Sequence, residues 1–202
     1  MINFDVVIIG AGVIGLSIAK YLSKEKLNIL ILEKNNLVGS ENSSRNTETI
    51  HAGIYYQSNS LKLKFCLRGK DLLYNFCTKH NIAFKKCGKI FIAQDLDEYK
   101  NIELLYLQAK RNGLNDLSEL DKKNLKKLEP NIEAKFGLLS PSSGIFDSYN
   151  FIQVLEKIAQ DNENIILKNT SFLNAYKKNQ LWEVHFDERG SKIKINSKYV
   201  VN

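Results

Sequence analysis

The sequence predicts an α/β fold built around a parallel β-sheet, and three observations near its start support this prediction. A run of apolar, mostly β-branched residues ends at Gly10, which is typical of a buried parallel strand. Apolar residues at helical spacing follow over 13–22. A second apolar strand, 28–33, then ends at Glu33. Strand, turn, helix and strand in this order are typical of a Rossmann-type unit.

Glycines occupy the turn between the first strand and the first helix in the pattern G-x-G-x-x-G. Gly10 allows the tight turn, Gly12 lets backbone N–H groups approach a pyrophosphate, and Gly15 lets the helix lie close to the sheet. Glu33, 18 residues after Gly15, can accept a hydrogen bond from an adenosine ribose hydroxyl. An ordinary β-α turn with a surface glutamate is the alternative. The predicted contacts of this dinucleotide site are Gly10, Gly12, Val13, Ile14, Gly15, Glu33 and Lys34.

The composition is that of a globular protein with a substantial core. Of the 202 residues, 44% are hydrophobic and 25% are charged, which fits one large domain or two small ones. The formal net charge is +7, but Lys and Arg residues are spread from Lys20 to Lys198. We interpret them as a solvated basic surface that helps attract an anionic substrate or the acidic face of a membrane. Because no nucleic-acid-binding motif accompanies the charge, we expect no nucleic-acid partner.

The cysteines indicate a reducing compartment. Cys66, Cys77 and Cys87 form no C-x-x-C pair, so we expect reduced, buried thiols in a cytoplasmic protein. The three His and three Cys residues lack ligand spacing, which predicts no metal site. The apolar start carries Asp5 and is too short to span a bilayer, which argues against a signal peptide or an anchor. Peripheral contact with the inner membrane stays open as an alternative.

A polar loop and a series of further elements follow Glu33. Residues 34–59 are rich in Ser, Asn, Thr and Gly, and we expect so long a loop to be functional. Ser60 predicts the start of a helix that runs to about residue 80. The later pattern predicts a strand over 84–93 with a bulge at Gly88, a helix over 97–112 stopped by Gly113, a short helix from Asp121 to Pro130, a strand-turn-strand over 137–146, a helix from 147 or 148, and short strands at 165–168, 172–176, 181–186, 192–195 and 199–201. The last strand is apolar and of parallel type, so we expect the chain to continue past Asn202.

The loop over 43–56 carries a more specific pattern than the glycine turn. It contains Asn46-Thr47 and then Ile50-His51-Ala52-Gly53-Ile54-Tyr55-Tyr56. Together with the glycine turn, it resembles the D-amino-acid-oxidase-like superfamily of FAD-dependent oxidoreductases, and most closely the L-2-hydroxyglutarate dehydrogenase/oxidase group. Thr47 replaces a serine of that group, and Glu48 stands where some members have a small residue. The resemblance continues through Lys86-Cys87-Gly88-Lys89, Leu128-Glu129-Pro130 and Gly144-Ile145-Phe146-Asp147.

The resemblance implies a domain organisation. Residues 1–84 and 146–202 would form a discontinuous, Rossmann-type FAD-binding domain, and residues 85–145 would begin an inserted α+β substrate domain. Both domains would be incomplete, because members of the group continue through a long C-terminal half.

The resemblance also implies contacts between the loop and the flavin. Ala52 and Gly53 are small enough for close backbone approach, and Arg45 can pair with an anion. For His51 three roles stay open, namely a flavin contact, a proton acceptor near the substrate and a covalent link to the flavin. Tyr55 and Tyr56 line the substrate side or are core aromatics. The candidate catalytic residues are His51 and Tyr55, and the candidate cofactor contacts of the loop are Ser43, Ser44, Arg45, Asn46, Thr47, His51, Ala52 and Gly53.

The activity that the resemblance implies is hydride removal from a small 2-hydroxy acid such as L-2-hydroxyglutarate, which yields the 2-oxo acid. The partners would be the anionic substrate and an electron acceptor, namely oxygen, a quinone or another carrier. One alternative is a flavin amine oxidase or a glycerol-3-phosphate-type dehydrogenase on the same fold. An NAD-binding Rossmann protein, supported by the glycine turn alone, and an inactive FAD-binding fragment are the others.

Overall fold

The computed structural model describes residues 3–202, which divide into two compact units. The first unit consists of residues 3–46 and Ser148–Asn202, and the second of Thr47–Asp147. The domain boundaries expected from the sequence lie elsewhere, after residue 84 and before residue 146. Residues 47–84 are part of the second compact unit. Which unit serves the cofactor and which the substrate stays a prediction.

The chain alternates helices and strands. The helices are α1 (Val13–Leu22), α2 (Leu61–Lys79), α3 (Leu96–Arg111), α4 (Lys122–Leu128) and α5 (Ser148–Asp161). The strands are β1 (Asn3–Ile9), β2 (Ile29–Leu32), β3 (Thr49–Ile50), β4 (Phe84–Lys85), β5 (Lys89–Ala93), β6 (Ser118–Asp121), β7 (Phe136–Ser140), β8 (Gly144–Phe146), β9 (Ile165–Leu167), β10 (Thr170–Lys178), β11 (Leu181–Glu188) and β12 (Ser191–Val201).

A six-stranded sheet in the order β10-β11-β12-β1-β2-β9 is the centre of the first unit. Strands β12, β1, β2 and β9 are parallel to one another, which confirms the predicted parallel sheet. Strands β10 and β11 extend it as an antiparallel hairpin that continues into β12.

Burial on both faces explains the uninterrupted apolar sequence of the central strands. On one face, Val7 and Leu30 pack in a cluster with Val184 and Phe186 of β11. Helices α1 and α5 contact each other, and the side chain of Ile8 lies against the start of α1. A parallel strand covered on both faces favours apolar side chains at successive positions.

The separation predicted between strands at 192–195 and 199–201 is wrong, because both belong to β12. The polar residues between them are accommodated inside the strand. Ser197 is buried, and its hydroxyl donates to the carbonyl of Tyr199 over 2.7 Å. One strand thereby pairs antiparallel with β11 and parallel with β1.

The second unit contains two three-stranded antiparallel sheets, β5-β7-β6 and β3-β8-β4. Helices α3 and α4 pack on the first of these sheets around a core that includes Ile102 and Leu138. The single strand predicted over 84–93 is wrong, because β4 and β5 belong to different sheets. Gly88 separates them with a φ of +76°, a conformation that favours glycine. The short strands β3 and β6 were not predicted.

The predicted helix ends in this unit are largely confirmed. The hydroxyl of Ser60 accepts from the N–H of Leu63 at the start of α2, and the carboxylate of Asp121 accepts from the N–H of Asn124 in α4. Gly113 follows α3 with a φ of +84°. Cys87 is exposed, so the expectation that all three thiols are buried is wrong for this residue. Over residues 3–202 no helix is long and apolar enough to cross a membrane.

Candidate functional site

The glycine turn lies between β1 and α1, where the edge of the parallel sheet meets a helix N-terminus. The N–H of Gly10 donates to the carbonyl of Leu32 over 2.8 Å, so the turn is tied to β2. Gly10 has a φ of +94°. A Cβ atom at Gly15 would lie 2.0 Å from the carbonyl oxygen of Gly10, so only glycine allows α1 to approach the turn this closely.

Glu33 is buried beneath the turn, with 6% of its surface exposed. One carboxylate oxygen accepts from the N–H of Ala11 over 2.8 Å, and the other accepts from the N–H of Asn35 over 2.9 Å. A carboxylate has about four acceptor positions, so capacity remains for a ribose hydroxyl. The ribose contact of Glu33 stays a prediction. Its structural role, bridging the turn and the following loop, was not predicted.

The loop after β2 is attached to the same turn. The hydroxyl of Ser43 accepts from the N–H of Val13 over 3.0 Å, and this bond satisfies one donor at the start of α1. The N–H of Gly39 donates to the carbonyl of Ala11 over 3.0 Å. A Cβ atom at Gly12 would lie 3.1 Å from the Ser43 hydroxyl. The loop therefore approaches the turn at the two ends of the segment 11–13.

The other loop residues predicted to contact the cofactor differ in their surroundings. The Ser44 hydroxyl donates to the carbonyls of Ser40 and Glu41, both over 3.0 Å. The amide of Asn46 donates to the carbonyl of Ser43 over 2.9 Å. Arg45 is exposed. Ser44 and Asn46 thus shape the loop, and their contacts with the cofactor stay predictions.

Two cavities of the first unit share the glycine turn as a wall. The larger, of about 520 Å³, contains Glu33 and Lys34, and the smaller, of about 430 Å³, lies along the start of α1. Ile9, Gly10, Gly12 and Ser43 line both cavities. Lining residues that were not predicted include Gly39, Ser40, Glu41 and residues 170–172 in the larger cavity, and Ile18, Asn42, Val201 and Asn202 in the smaller.

These features fit a dinucleotide. Backbone N–H groups at the start of an α-helix have no carbonyl four residues earlier, and the positive end of the helix dipole lies there. The first helical hydrogen bond of α1 runs from the N–H of Leu16 to the carbonyl of Gly12, over 3.0 Å. Gly10 and Gly12 have no side chains, and both line the two cavities. The turn therefore provides room and hydrogen-bond donors for a pyrophosphate, with a buried carboxylate in the adjoining cavity.

His51 lies in a polar and aromatic group of the second unit. Its Nδ1 is 3.1 Å from the hydroxyl of Tyr55. The Tyr55 ring packs edge-on against Tyr56 and Phe91, at centroid distances of 5.1 and 6.5 Å. Asn112 of α3 holds this segment, because its amide donates to the carbonyl of Tyr56 over 2.9 Å.

The charge state of His51 is set by its surroundings. Burial lowers the pKa of His51 below its ordinary value of 6.5, and the positive charges of Lys89 and Lys62 lower it further. The imidazole is therefore neutral at pH 7, and a neutral imidazole has one nitrogen that can accept a proton.

Three more of the predicted cofactor contacts lie in the second unit, namely Thr47, Ala52 and Gly53. Contacts within that unit account for part of the choice of residue at these positions. The Thr47 hydroxyl donates to that of Thr49 over 3.0 Å. Ala52 is 2% exposed and belongs to the hydrophobic core. Gly53 has a φ of +86°, and a Cβ atom there would lie 3.0 Å from Leu63. Packing alone thus accounts for the small residues at 52 and 53, and their approach to a flavin stays a prediction.

No group of three or more His, Cys, Asp and Glu side chains within residues 3–202 could hold a metal ion. The other two histidines have structural contacts. His80 stacks on Phe76 at a centroid distance of 4.2 Å, and His185 bonds the carboxylate of Glu183 over 2.7 Å.

A known family accounts for nearly the whole chain. Residues 5–202 match the DAO family, described as FAD dependent oxidoreductase. The chain belongs to this family. The membership confirms the resemblance stated from the sequence, and with it FAD as the cofactor; the NAD alternative rested on the glycine turn alone.

Relatives in this family share more than the glycine turn. The chain is 42% identical over 147 residues to the L-2-hydroxyglutarate dehydrogenase, mitochondrial, of Nematostella vectensis, covering 72% of this chain and 32% of the relative. It is 41% identical over 170 residues to the protein of the same name from Arabidopsis thaliana, covering 81% of this chain and 35% of the relative. The chain thus spans about a third of the length of these curated relatives.

The fold is shared with a solved FAD-bound structure. L-alpha-glycerophosphate oxidase from Mycoplasma pneumoniae superposes with a TM-score of 0.92 at 29% sequence identity. The superposition covers 99% of this chain and 53% of that one. The predicted α/β fold of an FAD-binding oxidoreductase is therefore confirmed.

The contact between Gly15 and Gly10 leads to a prediction for Gly15→Ala. The added methyl group would collide with the Gly10 carbonyl, so α1 must move away from the turn, and we expect FAD affinity to fall at least about tenfold, ~1.4 kcal/mol. Gly69→Ala in α2 is the matched control, because a Cβ atom there meets nothing within 4 Å. Fluorescence titration of the intact apoprotein with FAD measures both variants. Equal FAD affinity for Gly15→Ala and the wild type would contradict the role given to this contact.

Proposed function

We propose that this chain is part of an FAD-dependent dehydrogenase or oxidase that takes a hydride from a small 2-hydroxy acid of the L-2-hydroxyglutarate type. The observation that carries the proposal is the 41–42% identity to relatives named L-2-hydroxyglutarate dehydrogenase over 72–81% of this chain. We further propose that the protein is cytoplasmic, with or without peripheral contact with the inner membrane. The electrons taken from the substrate would pass to oxygen, a quinone or another carrier.

The first unit would hold the adenosine and pyrophosphate parts of FAD. The N–H groups at the start of α1 suit the pyrophosphate, and the buried carboxylate of Glu33 suits a ribose hydroxyl. Lys34, at the same cavity, forms an exposed ion pair with Glu41 over 2.9 Å. When bound, FAD supplies the acceptor for a hydride.

His51 is our candidate for the group that accepts the hydroxyl proton. Conversion of a 2-hydroxy acid into a 2-oxo acid breaks a C–H and an O–H bond, so a proton must be accepted as the hydride leaves. The lowered pKa of His51 keeps its imidazole neutral and able to accept it. This role requires that Nδ1 carries the hydrogen and donates to Tyr55, because Nε2 then has the free lone pair. Tyr55 would thus fix the tautomer and would still accept from Nδ1 in the protonated ring.

The second candidate function is oxidation of a glycerol-3-phosphate-type substrate. The superposition on L-alpha-glycerophosphate oxidase, with a TM-score of 0.92, favours it. Such a substrate also has a hydroxyl-bearing carbon and an anionic group, so the same proton acceptor would serve. A flavin amine oxidase on this fold is a further alternative, and an inactive FAD-binding fragment is the non-enzymatic one.

Anaerobic reduction of the bound flavin separates these candidates. We expect L-2-hydroxyglutarate to bleach the visible flavin absorbance of the intact FAD-loaded protein, with glycerol 3-phosphate and sarcosine as comparison substrates. Bleaching by sarcosine or glycerol 3-phosphate alone would select the corresponding alternative and reject the hydroxy-acid proposal. Absence of bleaching by all three, in a protein that retains FAD, would favour the inactive alternative.

The pKa of His51 leads to a prediction about pH. Because only the neutral imidazole accepts a proton, kcat/KM should fall as pH drops through a pKa below 6.5. We expect His51→Gln to lower kcat by about 100- to 10,000-fold and to remove this acidic limb while FAD stays bound. His185→Gln is the control, and its profile should match the wild type. An unchanged acidic limb in His51→Gln would show that another group accepts the proton.

A further inference from the structure

Two lysine side chains flank the group around His51. The Nζ of Lys89 lies 5.1 Å from the ring centroid of Tyr55 and 5.0 Å from that of Phe91. The Nζ of Lys62 lies 4.7 Å from the ring centroid of Tyr56. The Tyr55 and Tyr56 rings are themselves in edge contact, at 5.1 Å. Two cations from different elements, α2 and β5, are thus held on neighbouring rings.

No acidic side chain among residues 3–202 neutralises these lysines. The ion pairs of the second unit join Lys70 to Asp71, Lys100 to Asp97 and Lys126 to Glu133. Neither Lys62 nor Lys89 is part of any ion pair of the described chain. Their field reaches His51, whose pKa both of them lower.

The aromatic contacts prepare the two ammonium groups for an anion. A ring face attracts an ammonium group and removes part of its water without cancelling its charge. Confining the side chain also reduces the rotamer entropy that binding would otherwise cost. The group is accessible, because Tyr55 is 43% exposed and the Lys62 side chain is exposed. A carboxylate that reached these lysines would accept a charge-assisted hydrogen bond from each ammonium group.

We propose that Lys89 and Lys62 bind the two carboxylates of a dicarboxylic substrate, beside the His51 imidazole. The inference rests on the proposed function and adds to it the residues that hold the two carboxylates of such a substrate. Two separate cations match two separate carboxylates better than they match a neutral amine substrate or a monocarboxylate.

Binding of unreactive acids tests the proposal without catalysis. Isothermal titration of the intact FAD-loaded protein with glutarate and with butyrate compares a dicarboxylate with a monocarboxylate. We expect Lys89→Met and Lys62→Met each to weaken glutarate binding at least about tenfold, the scale of a lost charge-assisted hydrogen bond. Glutarate should also lose its advantage over butyrate. Methionine keeps an unbranched, flexible side chain that can still pack on the ring, and it removes the ammonium group and its charge.

Lys86→Met is the matched control. Lys86 also lies over an aromatic ring of the second unit, 4.7 Å from the centroid of Tyr74, and it is not among the charges that act on His51. Its substitution should leave glutarate binding unchanged. Circular dichroism and FAD content check the fold, and the exposed Lys62 provides a test even if Lys89→Met is insoluble. Glutarate affinity within twofold of the wild type in a folded Lys89→Met or Lys62→Met variant overturns the assignment of that lysine.

The outcomes distinguish this inference from the proposed function. If L-2-hydroxyglutarate reduces the flavin and both variants bind glutarate like the wild type, the lysine site is wrong and the function stands. If glutarate binding depends on both lysines and no 2-hydroxy acid reduces the flavin, the anion site stands and the proposed reaction is wrong.

Discussion

The carboxylate of Glu33 connects the sheet, the glycine turn and the loop after β2, and the geometry of the first unit depends on it. Both of its oxygens accept from backbone N–H groups, those of Ala11 and Asn35. A carboxylate that is 94% shielded from water needs such partners, because an ionised group without them is expensive to bury. The turn is therefore held by three of its own N–H groups, because that of Ala11 donates to Glu33, that of Gly10 to Leu32 and that of Val13 to Ser43.

Two further constraints act on the same few residues. Gly15 must lack a side chain because the Gly10 carbonyl occupies that space, and Ser43 accepts from the first N–H of α1. The first contact lies within the turn, and the second joins α1 to a loop residue 30 positions later in the chain. Together they produce a rigid wall between two cavities, which is the preorganisation that binding of a large, flexible cofactor requires.

Residues 3–33 could be predicted in detail because their structure follows from local pattern. The apolar run before Gly10, the glycine spacing and the apolar run before Glu33 each determine one element. Residues 170–172 and 201–202 reach the cavities only through pairing of strands far apart in the chain, and no local pattern shows that. Local pattern also failed to show that the chain leaves one sheet for another at Gly88. The backbone conformation of Gly88, and not a change in polarity, separates β4 from β5.

In the second unit, some of the candidate functional residues could be identified from the sequence and others could not. His51 and Tyr55 lie in a recognisable segment and could be named as candidates from the sequence, whereas the hydrogen bond between them was not predicted. The sequence could not show that Lys62 and Lys89 lie near the same rings. One is on α2 and the other on β5, and the chain contains many other lysines. Only the folded arrangement shows that these two are held on rings next to a neutral imidazole and form no ion pair with an acidic side chain of residues 3–202.

The central claim is that the buried carboxylate of Glu33 shapes a turn that binds FAD, and Glu33→Gln tests it most directly. A glutamine has one acceptor oxygen and would direct an N–H₂ group at one of the two backbone N–H donors. The dissociation constant of FAD, measured by fluorescence titration of the intact apoprotein, should rise at least about tenfold. Glu183→Gln, which alters a carboxylate bonded to His185 on β11 and lines neither cavity, should leave it nearly unchanged. An FAD affinity of Glu33→Gln within twofold of the wild type would contradict the account.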